Sequence, residues 1–428
     1  MLLIYTQKIT PRITYTFKHI CTRILGIPVG FTSKIEEFVA HESMKISYGK
    51  KRLGGEIFIQ HDGLLVEQGL GDVEIKMGDW DGTPCFFEAT EESSIPFDIF
   101  AASFYLLTRY EEFFPHVKDE SGRFPATESL AYEEDFLHLP VVDIWAYKFK
   151  KVLQEHYDLQ FSGRKFKSET LISITEAYRF RKKGVVRTGV GFLTDLVQLK
   201  VKYVADRIRV LLRLKKDPYD NYSTIVKFLK KYKVPLKFMF QVSAFSTFDR
   251  NVNPNRYDFQ SLIKSMADYA EVGLQPGYYA CQDAEPLKQE KQRLEDILKR
   301  PVESVLNHKY SLVLPDQYMN MAELEFKHDY SMGYPKALGF RAGTCTPFLF
   351  YDINMEVTLP LLVHPFAINM QAVDRIISSD VEEAIEELLK ETKEVEGNLI
   401  AIFSNEDFSE YRNAKRNYAI LKQIHEIS

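Results

Sequence analysis

The sequence predicts an α/β protein in which a smaller α+β domain, residues 1–167, precedes a closed or nearly closed (β/α) barrel, residues 168–428. Two observations predict this organisation. The chain has 428 residues, 45% of them hydrophobic, which is too long for one compact core and fits two domains of ordinary size. From Glu169 onward, short apolar runs alternate with amphipathic helical stretches, whereas the segment before Lys167 shows no regular alternation.

The N-terminal segment predicts two helices and several short strands. The first helix is expected at 12–25, where Gly26 suits the left-handed conformation that often ends a helix. Turn-rich strands are expected at 56–59 and 64–66. The second helix is expected at 96–114, because it begins near a proline and carries apolar residues at helical spacing. These elements predict a separate α+β domain.

The C-terminal segment predicts repeated strand-then-helix units. The candidate strands are 171–175, 237–242, 271–275, 302–307, 329–333, 338–342, 361–368 and 399–403. The candidate helices between them are 258–270, 285–299, 316–326 and 381–392. This alternation predicts a parallel sheet, and the number of units favours a barrel.

Polar residues occupy the expected C-terminal ends of these strands, which is where barrel enzymes place their chemistry. They are Ser173, Thr175, Gln241, Ser243, Gln275, His308, Arg341, His364, Ser404, Asn405 and Glu406. A zinc site requires three or four His, Cys or carboxylate ligands, and only His308 and His364 clearly qualify here. The strand ends therefore predict a polar site that is poor in metal ligands.

Composition limits the classes of function. With 55 Lys and Arg against 60 Asp and Glu, the net charge of -5 does not favour a nucleic-acid binder. No window approaches the ~18 uninterrupted apolar residues of a membrane span, and no signal-peptide pattern follows Met1. Four scattered cysteines suggest reduced, buried thiols. We therefore expect a cytoplasmic protein; its oligomeric state stays open.

Basic residues cluster from Lys200 to Lys216 on a predicted amphipathic helix. Such a helix could approach anionic lipid head groups or a lipid-linked acidic glycan as a peripheral membrane contact. A solvated helix face that covers the barrel is the ordinary alternative.

Several strings in both segments resemble a known family. In the C-terminal segment they are 273–279 (GLQPGYY), 329–334 (DYSMGY), 339–344 (GFRAGT) and 403–406 (FSNE). These strings resemble a bacterial branch of the polysaccharide deacetylases, the NodB-like carbohydrate esterases. In the N-terminal segment, 96–100 (PFDIF), 110–112 (YEE), 122–124 (GRF) and 140–143 (PVVD) resemble the domain that accompanies that barrel. The resemblance implies an irregular NodB-like (β/α) barrel.

The resemblance also implies a mechanism, which this sequence does not support. Family members use a divalent metal such as zinc to activate water against an acetyl group. One carboxylate of an Asp-x-Asp pair binds the metal together with histidines, and the other serves as the base. Here Ser173 and Thr175 stand at the Asp-x-Asp positions. Gln275 and Ser404 replace histidines, and Gly277 replaces a serine. The comparison therefore implies that the metal ligands are lost and that no cofactor is bound.

Three hypotheses follow. The first is a metal-less pseudoenzyme that binds a carbohydrate or a partner in surface-polysaccharide biosynthesis. Its expected ligand contacts are Ser173, Thr175, Gln275, Tyr278, Tyr334, Ser404, Asn405 and Glu406. The second is an active N- or O-deacetylase with a rearranged site that uses His308 and Arg341, with either Glu176 or Glu406 as the carboxylate. The third is a non-catalytic scaffold in a membrane-proximal complex.

Each residue also has a structural alternative. His308 could be a hydrogen-bonded histidine at a strand end, and Arg341 could pair with an acidic neighbour. Tyr278 and Tyr334 could be core aromatics, since buried aromatic side chains are common in cores.

Overall fold

The computed structural model describes residues 1–158 and 163–426. Residues 159–162 of the predicted first domain and 427–428 of the predicted barrel lie outside the described residues. The N-terminal elements are β1 (Leu2–Tyr5), α1 (Pro11–Phe17), β2 (Val29–Thr32), α2 (Ile35–Ala40), β3 (Lys45–Gly49), β4 (Ile57–Gln60), β5 (Met77–Trp80), β6 (Thr83–Phe86), α3 (Ile99–Leu107), α4 (Leu130–Glu133) and α5 (Val141–Tyr157). The first four strands form a parallel sheet in the order β2-β1-β3-β4, and β5 and β6 form an antiparallel hairpin.

The first predicted helix and the strand at 64–66 both need correction. Residues 12–25 form α1 followed by a π-helical segment, Lys18–Ile24, so the hydrogen-bond spacing changes within the expected helix. Gly26 then has the expected left-handed φ of 71°. Residues 64–66 form turns rather than a strand. Their carbonyl oxygens accept hydrogen bonds from side chains of α1 and its N-terminal cap, not from another strand.

The second predicted helix, 96–114, is shorter because a side chain fixes its start and a left-handed backbone conformation fixes its end. The Asp98 carboxylate accepts hydrogen bonds from the first amides of α3 and sets its start. At the other end Arg109 adopts a left-handed φ of 56°, which ends the α-helix before a 3₁₀ turn, Tyr110–Phe113.

The C-terminal region is built around one large sheet. Its elements are β7 (Lys167–Ile174), α6 (Val185–Val197), α7 (Val201–Leu211), α8 (Tyr222–Tyr232), β8 (Leu236–Phe240), α9 (Tyr257–Ala267), β9 (Glu271–Leu274), α10 (Ala284–Leu298), β10 (Ser304–Val305), α11 (Asp316–Glu323), β11 (His328–Asp329), β12 (Phe348–Asp352), β13 (Val357–Val363), β14 (Ile368–Asn369), α12 (Met370–Val373), α13 (Val381–Glu394), β15 (Asn398–Ser404) and α14 (Ala414–Glu426). The strand order is β12-β13-β11-β10-β9-β8-β7-β15-β14, and every pair is parallel except β12 with β13. The predicted α/β class, an irregular (β/α) barrel with a parallel sheet, is confirmed.

Alternate residues of the barrel strands face two different cores. Leu171, Met239 and Ile402 belong to a small buried cluster inside the barrel. Their neighbours Ile172 and Phe238 belong to the main cluster, which the outer helices cover. None of the helices in the described part of the chain combines the length and the apolar character that crossing a membrane requires.

Several predicted barrel strands are shorter than expected, and one is wrong. The strand expected at 361–368 divides into β13 and β14, with Pro365 between them unable to donate a ladder hydrogen bond. Residues 338–342 form an irregular loop. At Gly339, which has a φ of +117°, an added Cβ would lie 2.3 Å from the carbonyl oxygen of Leu137. This loop therefore packs against the N-terminal region instead of extending the sheet.

A buried ionic network joins that loop to the N-terminal region. Nε and Nη2 of Arg341 donate to both carboxylate oxygens of Glu112 at 2.9 and 2.6 Å. Nε of Arg109 donates to the same carboxylate at 2.7 Å, and its Nη2 donates to the Tyr334 hydroxyl at 2.9 Å. Burial raises the pKa of Glu112, but the guanidiniums of Arg341 and Arg109 outweigh it and hold this pKa below its ordinary value.

A second buried carboxylate, Asp143 of α5, ties the same loop to the N-terminal region. It accepts hydrogen bonds from the Thr344 hydroxyl at 2.6 Å and from the amide of Cys345 at 2.9 Å. Arg164 donates to its other oxygen at 2.6 Å. Together the two networks give residues 341–345 a defined place between the two regions.

We predict that Glu112→Ala lowers the free energy of unfolding by about 3–5 kcal/mol, because it leaves two buried guanidiniums without their shared carboxylate. Urea unfolding followed by circular dichroism measures the change. The control is Glu303→Ala, which removes an exposed ion pair with Lys327 and should change stability little. Equal losses in the two variants would contradict this interpretation of the network.

Candidate functional site

Polar side chains form a layer above the small interior cluster, at the C-terminal ends of β7, β8, β9, β10 and β15. The Ser173 hydroxyl donates to Oε1 of Gln275 at 2.7 Å, and both residues are buried. Ser404 pairs with Ser173 in the register of β15 and β7. Its hydroxyl and amide both donate to the carboxylate of Asp407 in a capping box, with Ser404 as the N-cap of the next turn. The structure therefore brings three of the predicted ligand contacts to one end of the barrel.

His308 belongs to the same layer and is held by Gln241 and Asp249. Nε2 of Gln241 donates to Oδ1 of Asp249 at 2.7 Å and lies 3.3 Å from Nδ1 of His308. Because the carboxylate can only accept, the Gln241 amide nitrogen must face both groups. Nδ1 of His308 is then the acceptor, and the proton of the neutral ring lies on Nε2.

The protonation state of His308 follows from its surroundings. Burial lowers its pKa to about 4, although the charge of Asp249 partly opposes this effect. The imidazole is therefore neutral at neutral pH. Within the described part of the chain, its buried Nε2 has no hydrogen-bond partner. His308 thus keeps one buried N–H donor unsatisfied.

Asp249 organises the loop that follows β8. Its oxygens accept from the Tyr278 amide at 3.1 and 3.2 Å and from the Ser246 hydroxyl at 3.1 Å. Asp249 is not among the residues predicted from the sequence, because it lies eight residues beyond Gln241, in a loop rather than at a strand end. It could have been predicted as a site residue because it follows a barrel strand, in a loop on the C-terminal face where barrel proteins place functional residues.

Glu290 of α10 reaches the layer from outside the barrel. Its Oε2 accepts from the amide of Gly277 at 2.9 Å. Burial, with the charge of Asp249 adding to it, raises the pKa of Glu290 to about 7. Glu290 is likewise absent from the residues predicted from the sequence. Glu290 lies at helical spacing from the buried residues Leu287 and Leu294 of an amphipathic helix. A carboxylate on the apolar face of a helix indicates a buried polar contact and could have predicted it.

Gly277 is fixed by close packing. A Cβ at this position would lie 2.6 Å from the Cβ of Ser243 and 3.0 Å from carboxylate oxygens of both Asp249 and Glu290. The serine of the family pattern would therefore not fit here without a shift of these neighbours.

An aromatic surface borders the polar layer. The rings of Phe248 and Tyr278 stack at 4.0 Å between centroids with an interplanar angle of 22°. Tyr279 meets both rings edge-on and is 53% exposed, and Phe248 is 47% exposed. The centroid of the Tyr278 ring lies 6.4 Å from that of His308. We call Phe248, Tyr278 and Tyr279 the aromatic platform.

Other predicted site residues lie elsewhere or are engaged in structural contacts. Arg341 and Tyr334 are each 1% exposed and belong to the buried ionic network. Their burial contradicts the predicted catalytic role of Arg341 and the predicted contact of Tyr334 with a sugar. Asn405 is also buried, and its amide donates to the carbonyl oxygen of Glu176 at 3.0 Å. Glu406 pairs with Arg412. Thr175, half-buried, follows the end of β7.

The donor set of the layer does not fit a zinc ion. Among residues 1–158 and 163–426, no three His, Cys, Asp or Glu side chains converge as metal ligands do. The layer itself offers one imidazole, amides and hydroxyls. The carboxylates beside it already accept hydrogen bonds, Asp249 from a backbone amide and two side chains and Asp407 from the amide and hydroxyl of Ser404. No step of the chemistry is therefore assigned to a metal.

Comparison with known proteins gives distant similarities. A family of unknown function (DUF7033) matches residues 2–158. A search of curated proteins finds no match. A putative polysaccharide deacetylase from Mycobacterium smegmatis is 11% identical, with a TM-score of 0.39 over 62% of this chain and 85% of that chain. A CE4 family pseudoenzyme from Bacillus anthracis is 9% identical, with a TM-score of 0.31 over 62% of each chain.

A 4-alpha-glucanotransferase from Thermococcus litoralis is 12% identical, with a TM-score of 0.36 over 62% of this chain and 38% of that chain. At these identities and TM-scores, similarity assigns no role to any residue. The function has to be argued from the side chains at the strand ends.

We predict that Glu290→Gln changes the pH dependence of stability. The folded-state pKa near 7 exceeds the ordinary value of 4.5, so the folded protein binds more protons than the unfolded chain between these values. The contribution of Glu290 to stability is therefore full below pH 4.5 and is lost as the pH rises through 7. At pH 8 the variant should be more stable than the wild type by about 2–3 kcal/mol.

Urea unfolding at several pH values checks this prediction, and the difference should vanish near pH 4.5. Asp296→Asn, which changes an exposed carboxylate of the same helix, is the matched control. Identical pH profiles for Glu290→Gln and the wild type would show that Glu290 is not protonated in the folded state.

Proposed function

We propose that this chain binds a carbohydrate at the C-terminal ends of its barrel strands, without metal-dependent hydrolysis, as a component of surface-polysaccharide biosynthesis. The observation that carries the proposal is the aromatic platform beside unpaired polar atoms. Nε2 of His308 and the hydroxyl oxygen of Ser243 are both buried without a partner among the described residues. A sugar presents an apolar ring face and hydroxyl groups, and so matches both parts of this surface.

The proposal also follows from the charge state of the layer. His308 is neutral at pH 7, and Ser173 and Gln275 bond to each other as neutral groups. Neutral amides, hydroxyls and an N–H donor suit sugar hydroxyls. A general base for water would need an accessible, unprotonated acceptor, whereas the free nitrogen of His308 carries the proton.

The second candidate function, an N- or O-deacetylase that uses His308, is favoured by one observation. Asp249 Oδ1 lies 3.8 Å from Nδ1 of His308, a distance that a small rotation would convert into a hydrogen bond. The imidazole would then protonate on Nδ1 and present Nε2 as a base. The measurement of acetate release described below separates the two functions.

We predict that Phe248→Ala with Tyr278→Ala weakens glycan binding by at least about tenfold, through loss of stacking. The sequence resemblance directs the choice of probe, which is a set of N-acetylated chito-oligosaccharides and their deacetylated forms. Isothermal titration calorimetry measures the affinity. Tyr132→Ala, which removes a tyrosine of the N-terminal region that is 50% exposed, should leave binding unchanged.

Acetate release from the same oligosaccharides, with and without added zinc, tests for catalysis. The proposal expects none. Turnover that His308→Ala abolishes in a folded variant would establish the deacetylase instead. Binding that persists unchanged in the Phe248 and Tyr278 double variant would contradict the placement of the ligand.

A further inference from the structure

The helix α6 presents an apolar face to the exterior. Its exposed apolar residues recur at helical spacing, are between 60% and 82% exposed, and are Val186, Val190, Leu193 and Val197. The two charged residues of this helix point elsewhere. Arg187 donates to backbone carbonyl oxygens of residues 250 and 251, and Asp195 is buried. The outer face of α6 therefore carries no charge.

The buried side of the helix pair is its polar side. Nε of Arg207 in α7 donates to Oδ2 of Asp195 at 3.1 Å, and the two residues are only 7% and 8% exposed. Gly191 leaves room for this pair, since a Cβ there would lie 2.8 Å from the Arg207 guanidinium. An ordinary surface helix turns its polar face outward. Here the ion pair lies inside and the apolar residues lie outside.

The apolar surface continues through the turn and along α7. The further exposed residues are Leu199, Val201, Ile208, Leu211, Leu212 and Leu214, with exposures from 44% to 83%. Contiguous apolar patches of this kind on a protein surface mark sites of interaction. We call residues 181–216 the basic hairpin.

The basic hairpin also carries a strong positive charge. It contains eleven Lys and Arg residues against two Asp residues, a formal charge of +9 in a chain whose total is -5. Both aspartates are buried, Asp206 accepting from Lys215 at 2.9 Å and from the Tyr411 hydroxyl at 2.7 Å. Lys200, Lys202 and Arg209 lie exposed beside the apolar residues. Acidic side chains outside the hairpin, Asp258, Glu176, Glu410 and Asp220, pair with four of its lysines, so the net charge of this surface is smaller than +9 but remains positive.

We propose that the basic hairpin binds an anionic lipid bilayer. The apolar side chains of α6 and α7 lie at the boundary between head groups and acyl chains, and the basic side chains lie among the head groups. An exposed apolar stripe flanked by Lys and Arg is the pattern of helices that rest in a membrane interface. If two copies of the chain met through this surface, two positively charged surfaces would face each other, and their repulsion opposes self-association.

The basic hairpin is attached to the barrel through polar and aromatic contacts that leave its apolar face free. The ring of Tyr203 in α7 stacks on that of Tyr411 at 4.7 Å between centroids, with an interplanar angle of 12°. The guanidinium of Arg207 also lies over the Phe180 ring, at 4.9 Å from its centroid. These contacts orient the hairpin without covering its outer surface.

Co-sedimentation of the full chain with vesicles tests the proposal. We expect binding to vesicles that contain about a third phosphatidylglycerol, weak binding to phosphatidylcholine alone, and loss of binding at high salt. Leu193→Glu with Val197→Glu should weaken binding by more than about tenfold, because it charges the inserted face. Lys202→Ala with Arg209→Ala should weaken it by about fivefold for each charge removed.

The matched control is Val117→Glu with Ile377→Glu, which places the same charges at apolar residues that are 71% and 72% exposed elsewhere. This variant should bind vesicles as the wild type does. Circular dichroism melts of all variants show whether each is folded. A Leu193→Trp variant adds a tryptophan to the face that we expect to enter the bilayer. Lipids whose acyl chains carry bromine near the head group should quench its fluorescence, because bromine quenches tryptophan only at short range.

Three results would overturn the proposal. The first is wild-type protein that binds neither kind of vesicle. The second is equal loss of binding in the control and the hairpin variants. The third is an oligomer in light scattering that Leu193→Glu with Val197→Glu dissociates while vesicle binding is absent, which would assign the surface to a second copy of the chain.

Discussion

The rest of the structure depends on the buried ionic network in which Glu112 bridges Arg109 and Arg341. Arg109 holds a left-handed backbone conformation that a residue with a Cβ rarely adopts, and the network compensates for that strain. A buried carboxylate between two guanidiniums is stable only as a complete set, since removing one member leaves a charge without a partner. This constraint ties the end of α3 to the loop that would otherwise have continued the barrel sheet.

The same N-terminal region also supports the loop that carries His308. The buried Arg123 pairs with Asp119 at 2.7 Å, and its Nη1 donates to the carbonyl oxygen of Lys309 at 2.6 Å. Lys309 and Tyr310 both have left-handed φ values, 50° and 57°. Such a conformation persists where its surroundings hold it. The N-terminal region thus acts on the candidate site through the backbone that follows His308.

The sequence predicted the barrel where local pattern decides the structure and failed where distant contacts decide it. Leu171 and Ile172 lie on opposite faces of a strand that is buried on both sides. A short, continuous apolar run in the sequence predicts such a strand directly. Residues 338–342 look equally strand-like, but the contact of Gly339 with Leu137 across 202 positions directs them elsewhere. No local pattern contains that information.

The candidate site shows the same division. Ser173, Gln275 and Ser404 were predicted because strand ends can be located from the strands themselves. Asp249 and Glu290 were missed because a loop and an outer helix bring them to the site. Arg341 was assigned to the site because an arginine beside an apparent strand end looks available, whereas its carboxylate partner lies 229 positions away in the sequence.

The two proposals meet at the loop between β8 and α9. Arg187, in the first turn of α6, donates to the carbonyl oxygen of Asn251 at 2.9 Å, and its guanidinium lies 4.1 Å from the centroid of the Phe245 ring. The same loop contains Asp249, which holds Gln241, and Phe248 of the aromatic platform. A bilayer under the basic hairpin would therefore lie close to the strand-end site. If both proposals hold, a glycan presented at the membrane surface, such as a lipid-linked one, would reach this site more directly than a freely diffusing sugar.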